Sequence, residues 1–382
     1  MTSPLIEPIA SPRDLTPLVE SIQRADEVCV DSEADSRFHY FEKLCLLQFT
    51  VPRADGVKNF LLDTLSPLDF KPVTETLREK PLVLHGADFD LRILKRTYDF
   101  RPCAIFDTML AARLAGHTAL GLDALVMRYA NKEMDHGMQK ADWSQRPLPP
   151  RLLQYAVEDT AHLPLIAQQL REELSALGRL EWHRQQCEYL IETCCDRPPE
   201  QDPEPWRIKG SFALDRRQLG ILREIWLWRD EQARGWDRPP YYVLSNETLL
   251  KLAEWAAQNP RGDLQQGPPL PPRLPPRRLT SLKEALSRGW SLPEKSLPHR
   301  APHGKRPPYD PHFLPRLKRL RNVRDAVAHE LKLAPAIIAT TAMVEGIASR
   351  NPRTPSDFAQ IEDWLPWQTE LLGEKFLTAL RK

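Results

Sequence analysis

The stretch that decides the fold is Cys29-Val30-Asp31-Ser32-Glu33-Ala34-Asp35, in which a short apolar run ends in two carboxylates two residues apart. Successive side chains of a β-strand point to opposite faces, so Asp31 and Glu33 are predicted to project from the same face of a strand. Two carboxylates that converge in this way are held apart by solvent, share a proton or bind a cation. The surrounding sequence has to decide among these alternatives.

The segments that follow this strand predict a sheet. Apolar runs at residues 43–51 and 59–63 are separated by a turn-like sequence at 52–56, and such short gaps favour antiparallel neighbours. Strand and helix patterns then alternate, which is typical of a parallel βαβ unit, at residues 81–85, 88–98, 104–106 and 107–114. We therefore predict an α/β domain with a mixed five-stranded sheet flanked by helices.

The remainder of the chain has helical patterns interrupted by proline. Residues 121–173 are predicted to be helical with loops between, and Tyr155 and Asp159 share one helix face because they are four residues apart. Pro164 is predicted to interrupt this pattern, and residues 268–278 read as a polyproline-like insertion. Further helices are predicted at residues 180–195, 214–234, 246–258, 280–288, 313–324, 335–348 and 366–380.

Length and charge predict several domains with different partners. A chain of 382 residues is too long for one ordinary core, and its 37 prolines against 15 glycines indicate linkers. Residues 261–382 carry 21 Lys and Arg against 12 Asp and Glu, whereas the preceding part is acidic. The rear of the chain is therefore predicted to bind a polyanion.

The cysteines and the N-terminal sequence predict an intracellular protein. The six cysteines form no Cys-x-x-Cys pair and have no histidine partners at zinc spacing, so we expect buried free thiols. The N-terminus has no basic segment followed by an apolar one, and no run of eighteen apolar residues occurs. We predict a cytoplasmic protein that has no membrane partner.

Four acidic residues in the front half form a candidate catalytic set with one tyrosine. Taken singly, an aspartate that opens a helix is usually an N-cap, and one inside a helix is usually solvated. Taken together, the pair Asp31 and Glu33, then Asp90, then Asp159 with Tyr155 provide four hard oxygen ligands. That set is what a site needs to hold two divalent ions for phosphoryl transfer.

The order of these residues resembles the three motifs of the DEDD exonuclease superfamily. Asp31 and Glu33 fit Asp-x-Glu, Asp90 stands five residues after His85, and Tyr155 and Asp159 fit Tyr-x-x-x-Asp. With the flanking sequences HGADFDLRIL, FDTMLAARLAG, GLDALV and KADWSQRPLPPRLLQYAVEDTAHL, residues 1–195 resemble the ribonuclease D family in its tyrosine-bearing (DEDDy) subgroup.

The rear segments resemble a second module. The sequence LREIWLWRDEQARGWDRPPYYVLSNETLLKLA is similar to the helicase-and-ribonuclease-D C-terminal (HRDC) domain, and the tail, with ATTAMVEGIASRNP and WLPWQTELLG, is similar to a divergent second copy. The resemblance implies a ribonuclease-H-like exonuclease domain followed by two small all-α HRDC-like domains. The predicted limits are 1–196 for the exonuclease domain, 197–210 for a linker, 211–290 for the first HRDC-like domain, 291–312 for a Pro-rich linker and 313–382 for the second.

The resemblance also implies a role for each site residue. Asp31, Glu33 and Asp159 would ligate the Mg²⁺ or Mn²⁺ ion that binds the attacking water, and Asp31 would bridge to a second ion. Asp90 would support the second ion, directly or through water. Tyr155 would orient or deprotonate the water, although a tyrosine with an ordinary pKa of about 10 is a poor base at neutral pH without a cation beside it.

Other polar residues have structural alternatives of equal or greater weight. Asp107 is predicted to cap a helix, and His85 either ends a strand or approaches the substrate. Asp88 is predicted to face away from Asp90. Three residues before the Tyr155 helix either contact phosphate or belong to a capping loop: Lys140, Trp143 and Arg146.

A basic cluster near the start of the second HRDC-like domain is a candidate nucleic-acid contact. Its residues are Arg316, Lys318, Arg319, Arg321 and Arg324, and they are predicted to face outward while the intervening leucines face inward. A run of charges is often no more than a solvated helix face. Beside a nuclease site, tracking of the RNA backbone is the competing interpretation.

The carboxylate set and the resemblance together predict a metal-dependent 3′–5′ exoribonuclease that releases 5′-mononucleotides. The resemblance implies that it acts in the 3′ maturation of transfer RNA precursors or other structured RNAs. A DNA 3′–5′ exonuclease with the same site is an alternative, since the HRDC resemblance favours RNA only modestly. A non-catalytic RNA-binding scaffold is a second alternative, which the intact carboxylate set opposes. We predict a monomer.

Overall fold

The structure is a computed structural model that describes residues 6–135, 137–198, 202–260, 262–272, 274–299 and 310–381. Its described residues form two compact units. The first contains residues 6–34, 44–198 and 310–381, and the second contains residues 35–43 and 202–299. Residues 300–309 of the predicted linker at 291–312 lie outside the described residues, and the predicted domain limits remain predictions.

The first unit is built on one sheet. Its strands are β1 (Val28–Ala34), β2 (Leu44–Arg53), β3 (Gly56–Asp63), β4 (Leu82–Leu84) and β5 (Ile105–Asp107). Their order is β3-β2-β1-β4-β5, in which β1 pairs antiparallel with β2 and parallel with β4. The mixed five-stranded sheet is confirmed, and the strand that carries Asp31 and Glu33 lies at its centre.

Helices cover this sheet. They are α1 (Pro12–Arg24), α2 (Lys71–Arg78), α3 (Asp88–Tyr98), α4 (Thr108–Ala115), α5 (Leu122–Ala130), α6 (Pro150–Ala161), α7 (Leu163–Ala176) and α8 (Leu180–Ile191). The sequence analysis did not predict α1 and α2. The interruption at Pro164 is confirmed, because α6 ends before His162 and Pro164 is the second residue of α7.

The second unit is helical. Its helices are α9 (Arg216–Trp236), α10 (Pro240–Val243), α11 (Asn246–Gln258) and α12 (Pro276–Ser291). The start of α12 at Pro276 corrects the prediction of a polyproline-like segment through Arg278. Proline is well suited to the first turn of a helix, where its missing N–H would have no intrahelical partner.

The C-terminal helices belong to the first unit. They are α13 (Phe313–Leu331), α14 (Pro335–Ile338), α15 (Thr341–Arg350) and α16 (Pro366–Arg381). The single helix predicted at 335–348 is wrong, because Thr340 caps α15 by accepting the N–H of Met343 and thereby separates it from α14. The stacked rings of Trp182 in α8 and Trp367 in α16, with centroids 4.6 Å apart, join this segment to the exonuclease-like part.

Two general predictions are tested by the described residues. Five cysteines are buried as free thiols, whereas Cys103 is exposed, which corrects the prediction for that residue. Among the described residues, none of the helices combines the length and apolarity that crossing a membrane requires.

Candidate active site

The central strand β1 presents the first two site residues. Asp31 and Glu33 are half-buried on one face, and the register pairs Asp31 with Gln48 and Glu33 with Leu46 of β2. Ser32 points to the opposite face and is buried. The alternation predicted from the sequence therefore positions the carboxylates side by side.

Helix α6 supplies the next two residues. Tyr155 and Asp159 are 6% and 8% exposed. They lie one helical turn apart on the face of α6 that packs toward the sheet. The hydroxyl of Thr50 in β2 donates to that of Thr160 at 2.8 Å, which fixes α6 across the sheet. The helix is thereby held in a position from which Asp159 reaches the carboxylates of β1.

Three of the four predicted carboxylates converge. Asp31, Glu33 and Asp159 each offer an oxygen atom, and these atoms lie within 4.8 Å of one another. Oxygen atoms at this spacing suit a hard divalent cation. The residues therefore fit a metal ion, as the resemblance implied.

The fourth carboxylate lies next to this group in the first turn of α3. Asp90 is buried and accepts a hydrogen bond from the hydroxyl of Ser32. Asp88, two residues earlier, is instead exposed and pairs with Arg92 at 3.0 Å. The choice of Asp90 over Asp88 is thus supported by burial and by hydrogen bonding.

Burial raises the pKa of every carboxylate in the set, and repulsion from other members of the set adds to this effect for Asp31 and Glu33. Burial is the largest cause, and it raises the pKa of Asp90 and of Asp159 to about 7. Burial and the charges of Asp159 and Asp90 raise the pKa of Glu33 to about 9. The pKa of Asp31 is raised well above its ordinary value by burial first and then by the charges of the other three. A bound cation would remove this repulsion, which is a second reason that the residues fit a metal.

Tyr155 is hydrogen-bonded to the carboxylate of Asp159, which lowers the pKa of that carboxyl against the effect of burial. Gln139 forms a hydrogen bond with the Tyr155 hydroxyl. Burial and the neighbouring carboxylates raise the pKa of Tyr155 above its ordinary value. The hydroxyl is therefore held as a neutral donor.

A cavity of about 380 Å³ opens onto the converging carboxylates, and its volume is in the range of ligand-binding sites. The strand β1 and the helix α6 line it together with three other segments, and the lining residues are Asp31, Ser32, Glu33, Tyr155, Asp159, His85, Gly121, Leu122, Asp123, Met134, Asp135, Gly137 and Gln139. The motif that contains Asp123 was noted in the sequence, but no role was predicted for that residue. Gln139 was not predicted, because it lies in a single 3₁₀ turn, Met138–Lys140, that has no distinctive sequence pattern.

Asp107 holds the turn from which α3 starts. Its carboxylate caps α4 through the N–H groups of Met109 and Leu110, which agrees with the predicted N-cap. The same carboxylate also accepts the N–H groups of Gly86 and Ala87, at 3.1 and 2.9 Å. Asp107 therefore positions the turn before Asp90, a role that only the tertiary structure reveals.

The remaining candidates have structural partners. His85 lines the cavity, and its Nδ1 lies 2.9 Å from the Thr108 hydroxyl. Trp143 is buried, and Arg146 binds both carboxylate oxygens of Asp63 at 2.6 and 2.8 Å. For Trp143 and Arg146 the structure favours the capping loop over a phosphate contact. Lys140 is exposed.

The basic cluster of α13 is not one solvated face. The prediction that all its residues face outward is wrong for Arg316, which is buried, pairs with Asp310 and donates to the Ala348 carbonyl at 2.9 Å. Arg319 donates to the Ala379 carbonyl at 2.7 Å, and Arg324 donates to the carboxylate of its neighbour Asp325. Two other members differ again, since Arg321 pairs with Glu345 and Lys318 is exposed. The arginines of this cluster serve as structural hydrogen-bond donors, because one guanidinium group can bind several carbonyl and carboxylate oxygens.

The raised pKa values predict that metal-free protein loses stability as the pH rises. Unfolded Asp and Glu titrate near pH ~4, whereas Asp90 and Asp159 in the fold titrate at about 7 and Glu33 at about 9. Between these values the folded state binds more protons than the unfolded state, so the free energy of unfolding falls with increasing pH. We expect the difference between the Tm of the wild-type protein and that of Glu33→Gln, both measured in EDTA, to fall from pH 5 to pH 9. Mn²⁺ should restore more stability at higher pH, and a relative Tm that stays level or rises would contradict this.

Comparison with known proteins agrees with this geometry. Residues 6–175 match a family model described as a 3′-5′ exonuclease, and residues 218–262 and 313–380 match the model of the HRDC domain. The ribonuclease D of Gluconacetobacter diazotrophicus is 30% identical over 345 residues, which is 89% of this chain and 85% of that protein. The ribonuclease D of Pseudomonas paraeruginosa is 31% identical over 332 residues, 85% of each chain.

Solved structures share the fold over nearly the whole chain. The crystal structure of Escherichia coli RNase D covers 98% of each chain with a TM-score of 0.71 and 23% identity. A structure from Bifidobacterium adolescentis covers 99% of this chain and 97% of its own, with a TM-score of 0.83 and 22% identity. At these identities the likeness establishes the fold alone. The predicted α/β exonuclease architecture and the predicted helical HRDC region are thereby confirmed.

Proposed function

The chain belongs to the ribonuclease D family and is a 3′–5′ exoribonuclease, and from this premise we propose that it trims the 3′ ends of structured RNAs, such as transfer RNA precursors, with two divalent cations. The observation that carries the proposal is the convergence of Asp31, Glu33 and Asp159 within 4.8 Å. The E. coli relative is described as an exoribonuclease involved in structured RNA processing, which supports the substrate class.

The residues fall into two groups by the cation that each would hold. Asp31, Glu33 and Asp159 would hold one ion, and Asp31 would share the second with Asp90. Bound Mg²⁺ or Mn²⁺ lowers the pKa of an attacking water and neutralises charge on the leaving 3′ oxygen. The hydrogen bond from the Ser32 hydroxyl holds the Asp90 carboxylate beside the strand that carries Asp31 and Glu33.

Tyr155 would orient the attacking water. Its hydroxyl is already fixed between Gln139 and Asp159, so the oxygen is held in place before substrate binds. Because its pKa is raised, Tyr155 serves as a hydrogen-bonding group and does not itself take the proton of the attacking water. Loss of that proton would depend on the cations that the carboxylates hold. Hydrolysis of the last phosphodiester bond then gives a nucleoside 5′-monophosphate and an RNA that is one nucleotide shorter.

The physical chemistry of the site opposes a non-catalytic scaffold. Four buried carboxylates with raised pKa values reduce the stability of the fold, once they are ionised, unless a cation compensates for their charge. A protein that only binds RNA gains no stability from such a cluster. The carboxylates alone do not distinguish RNA from DNA, so the DNA exonuclease alternative requires an experiment.

The test is to incubate the protein with a 3′-extended transfer RNA and with single-stranded DNA of matched length, in Mg²⁺, Mn²⁺ or EDTA. We expect stepwise shortening of the RNA from its 3′ end with either metal and no shortening in EDTA. Faster degradation of the DNA would favour the alternative nuclease. Activity in EDTA would contradict the metal mechanism, and intact substrates in every condition would favour the scaffold.

The exposed part of the basic cluster is a proposed contact for the RNA body. Arg316 stabilises the helical segment, as its buried hydrogen bonds indicate, which leaves Lys318 as the member best placed to meet a phosphate. We likewise propose that the protein acts as a monomer.

A further inference from the structure

The second unit carries exposed aromatic rings at one end of α9. Phe41 is 55% exposed and Tyr241 is 56% exposed, while Trp236 and Tyr242 are each 45% exposed. Among the described residues, five aromatic side chains are at least 45% exposed, and all five belong to the second unit. Rings that a fold leaves in water gain nothing for its stability, so their grouping calls for a ligand.

The loop at residues 35–43 is fastened to α9 beneath these rings. Tyr40 packs against the core of the second unit, and its hydroxyl donates to Asp230 at 2.8 Å. The N–H groups of Tyr40 and Phe41 both donate to Asp237, the residue that ends α9, at 3.1 and 3.2 Å. Because Tyr40 is anchored inward and Phe41 follows it, the Phe41 ring is held outward on a fixed backbone.

Helix α10 joins the same surface. The Tyr241 hydroxyl donates to the Arg37 carbonyl of the loop at 2.9 Å, and the Tyr241 and Tyr242 rings lie with their centroids 4.9 Å apart. The rings of Tyr40 and Phe41 meet edge to face at 5.0 Å. The exposed rings are therefore preorganised, which lowers the entropic cost of binding to them.

Cations accompany the rings. The Arg278 guanidinium lies 4.2 Å from the centre of the Trp236 ring, and Arg234 lies over Tyr40 at 5.5 Å. Arg37 is exposed, and its guanidinium makes no hydrogen bond or ion pair with another residue that the structure describes. The carboxylates nearby, Asp230 and Asp237, are engaged by the loop itself.

We infer that this aromatic surface, formed by Arg37, Phe41, Trp236, Tyr241, Tyr242 and Arg278, binds single-stranded RNA. Every base has a π-face that stacks on an aromatic ring, and guanidinium groups bind the phosphates between the bases. Exposed rings interleaved with arginines match that ligand in both shape and charge. The inference rests on the proposed function, because RNA is then the polyanion that the protein meets.

The surface joins two parts of the sequence. Residues 35–43 lie within the exonuclease match and begin two residues after Glu33, whereas α9 and α10 lie in the first HRDC-like segment. Neither segment alone provides both the loop ring of Phe41 and the helix rings of Tyr241 and Tyr242. The RNA-binding property is therefore assigned to the combined surface.

The test measures the affinity of the full chain for a fluorescent 20-nucleotide single-stranded RNA in EDTA, where hydrolysis cannot interfere. Truncation of a stacking ring weakens binding by roughly 5- to 100-fold per base. We expect Kd values raised in that range for Phe41→Ala and Tyr241→Ala. Tyr241→Phe, which keeps the ring, should stay near wild type, and Phe41→Leu, which keeps an apolar side chain but has no π-face, should be weakened. Arg37→Ala should reduce the slope of log Kd against log salt by about 1.

Phe212→Ala is the matched control. Phe212 is 85% exposed in the same unit, but it precedes the start of α9, whose 21 residues separate it from the aromatic surface by roughly 30 Å. It should leave the Kd unchanged, and thermal melting checks that each variant is folded. Equal Kd values for Phe41→Ala, Tyr241→Ala and wild type would overturn the inference. So would a wild-type dimer in sedimentation that these variants dissociate, since a second copy would then cover the rings.

Hydrolysis separates this inference from the proposed function. Wild-type protein that shortens RNA while its ring variants bind RNA normally disproves the aromatic surface alone. Wild-type protein that binds RNA through the rings but degrades no substrate disproves the proposed activity alone.

Discussion

Replacing Asp31 with asparagine should remove exonuclease activity while making the metal-free protein more stable. Asp31 is the carboxylate that would be shared by both cations, so its loss removes several kcal/mol of transition-state stabilisation, or roughly a thousandfold or more in kcat. In the absence of metal, the pKa of Asp31 is raised first by burial and then by repulsion from Asp90, Asp159 and Glu33. Neutral asparagine ends that repulsion, and each 1 kcal/mol of relief raises the Tm by roughly 2–4 °C.

Asp88→Asn is the matched control for this experiment. Asp88 is also an aspartate close to the site in sequence, but it is exposed and paired with Arg92. Its replacement should leave kcat near wild type. The Tm of both variants in EDTA and the loss of 3′ nucleotides in Mn²⁺ provide the two readouts. An Asp31→Asn protein that keeps its activity, or that loses both activity and stability, would contradict the shared-ligand assignment.

Two local groupings in the candidate site were predictable, because the periodicity of a strand or a helix sets which side chains share a face. Side chains of a strand alternate every two residues, so Asp31 and Glu33 lie on one face. Side chains of a helix return to the same face about every 3.6 residues, so Tyr155 and Asp159 share a helix face. Neither repeat identifies which distant segments meet. That step relied on the resemblance of the ordered motifs to a known family, and the convergence of Asp31, Glu33 and Asp159 agrees with it.

Residues whose roles depend on tertiary contacts could not be predicted. Ser32 points away from its acidic neighbours, yet its hydroxyl binds Asp90 from a distant helix. Asp107 was expected to cap α4, but its bonds to Gly86 and Ala87 arise only because β4 and β5 are adjacent. Such contacts join residues that are far apart in the sequence, so no local sequence pattern predicts them.

The prediction from the charge pattern of α13 was wrong for Arg316, also because of tertiary contacts. A cluster of arginines on a helix predicts a solvated face, but Arg316 is drawn into the interior by the Ala348 carbonyl and Asp310. The exposed rings of the aromatic surface show the opposite effect, since Phe41 and Tyr241 are apolar residues left in water. Hydrogen-bonding partners override the average preference of arginine in the first case, and the proposed RNA ligand would account for the exposed rings in the second.

Replacing Tyr155 with phenylalanine should lower kcat by roughly 100-fold, which is within the usual contribution of one positioned hydrogen-bonding or acid–base group. The ring still fills its buried place, so the Tm should change little. The raised pKa keeps the Tyr155 hydroxyl neutral, and in the proposed mechanism it only orients the water, so the pH dependence of kcat should have the same slope in both proteins. Tyr129→Phe is the matched control, because its hydroxyl likewise donates to a carboxylate, that of Glu173 at 2.8 Å, but Tyr129 does not line the cavity. A Tyr155→Phe protein that loses the pH dependence as well as the rate would show that the tyrosine removes the proton itself, and undiminished kcat would exclude it from the reaction.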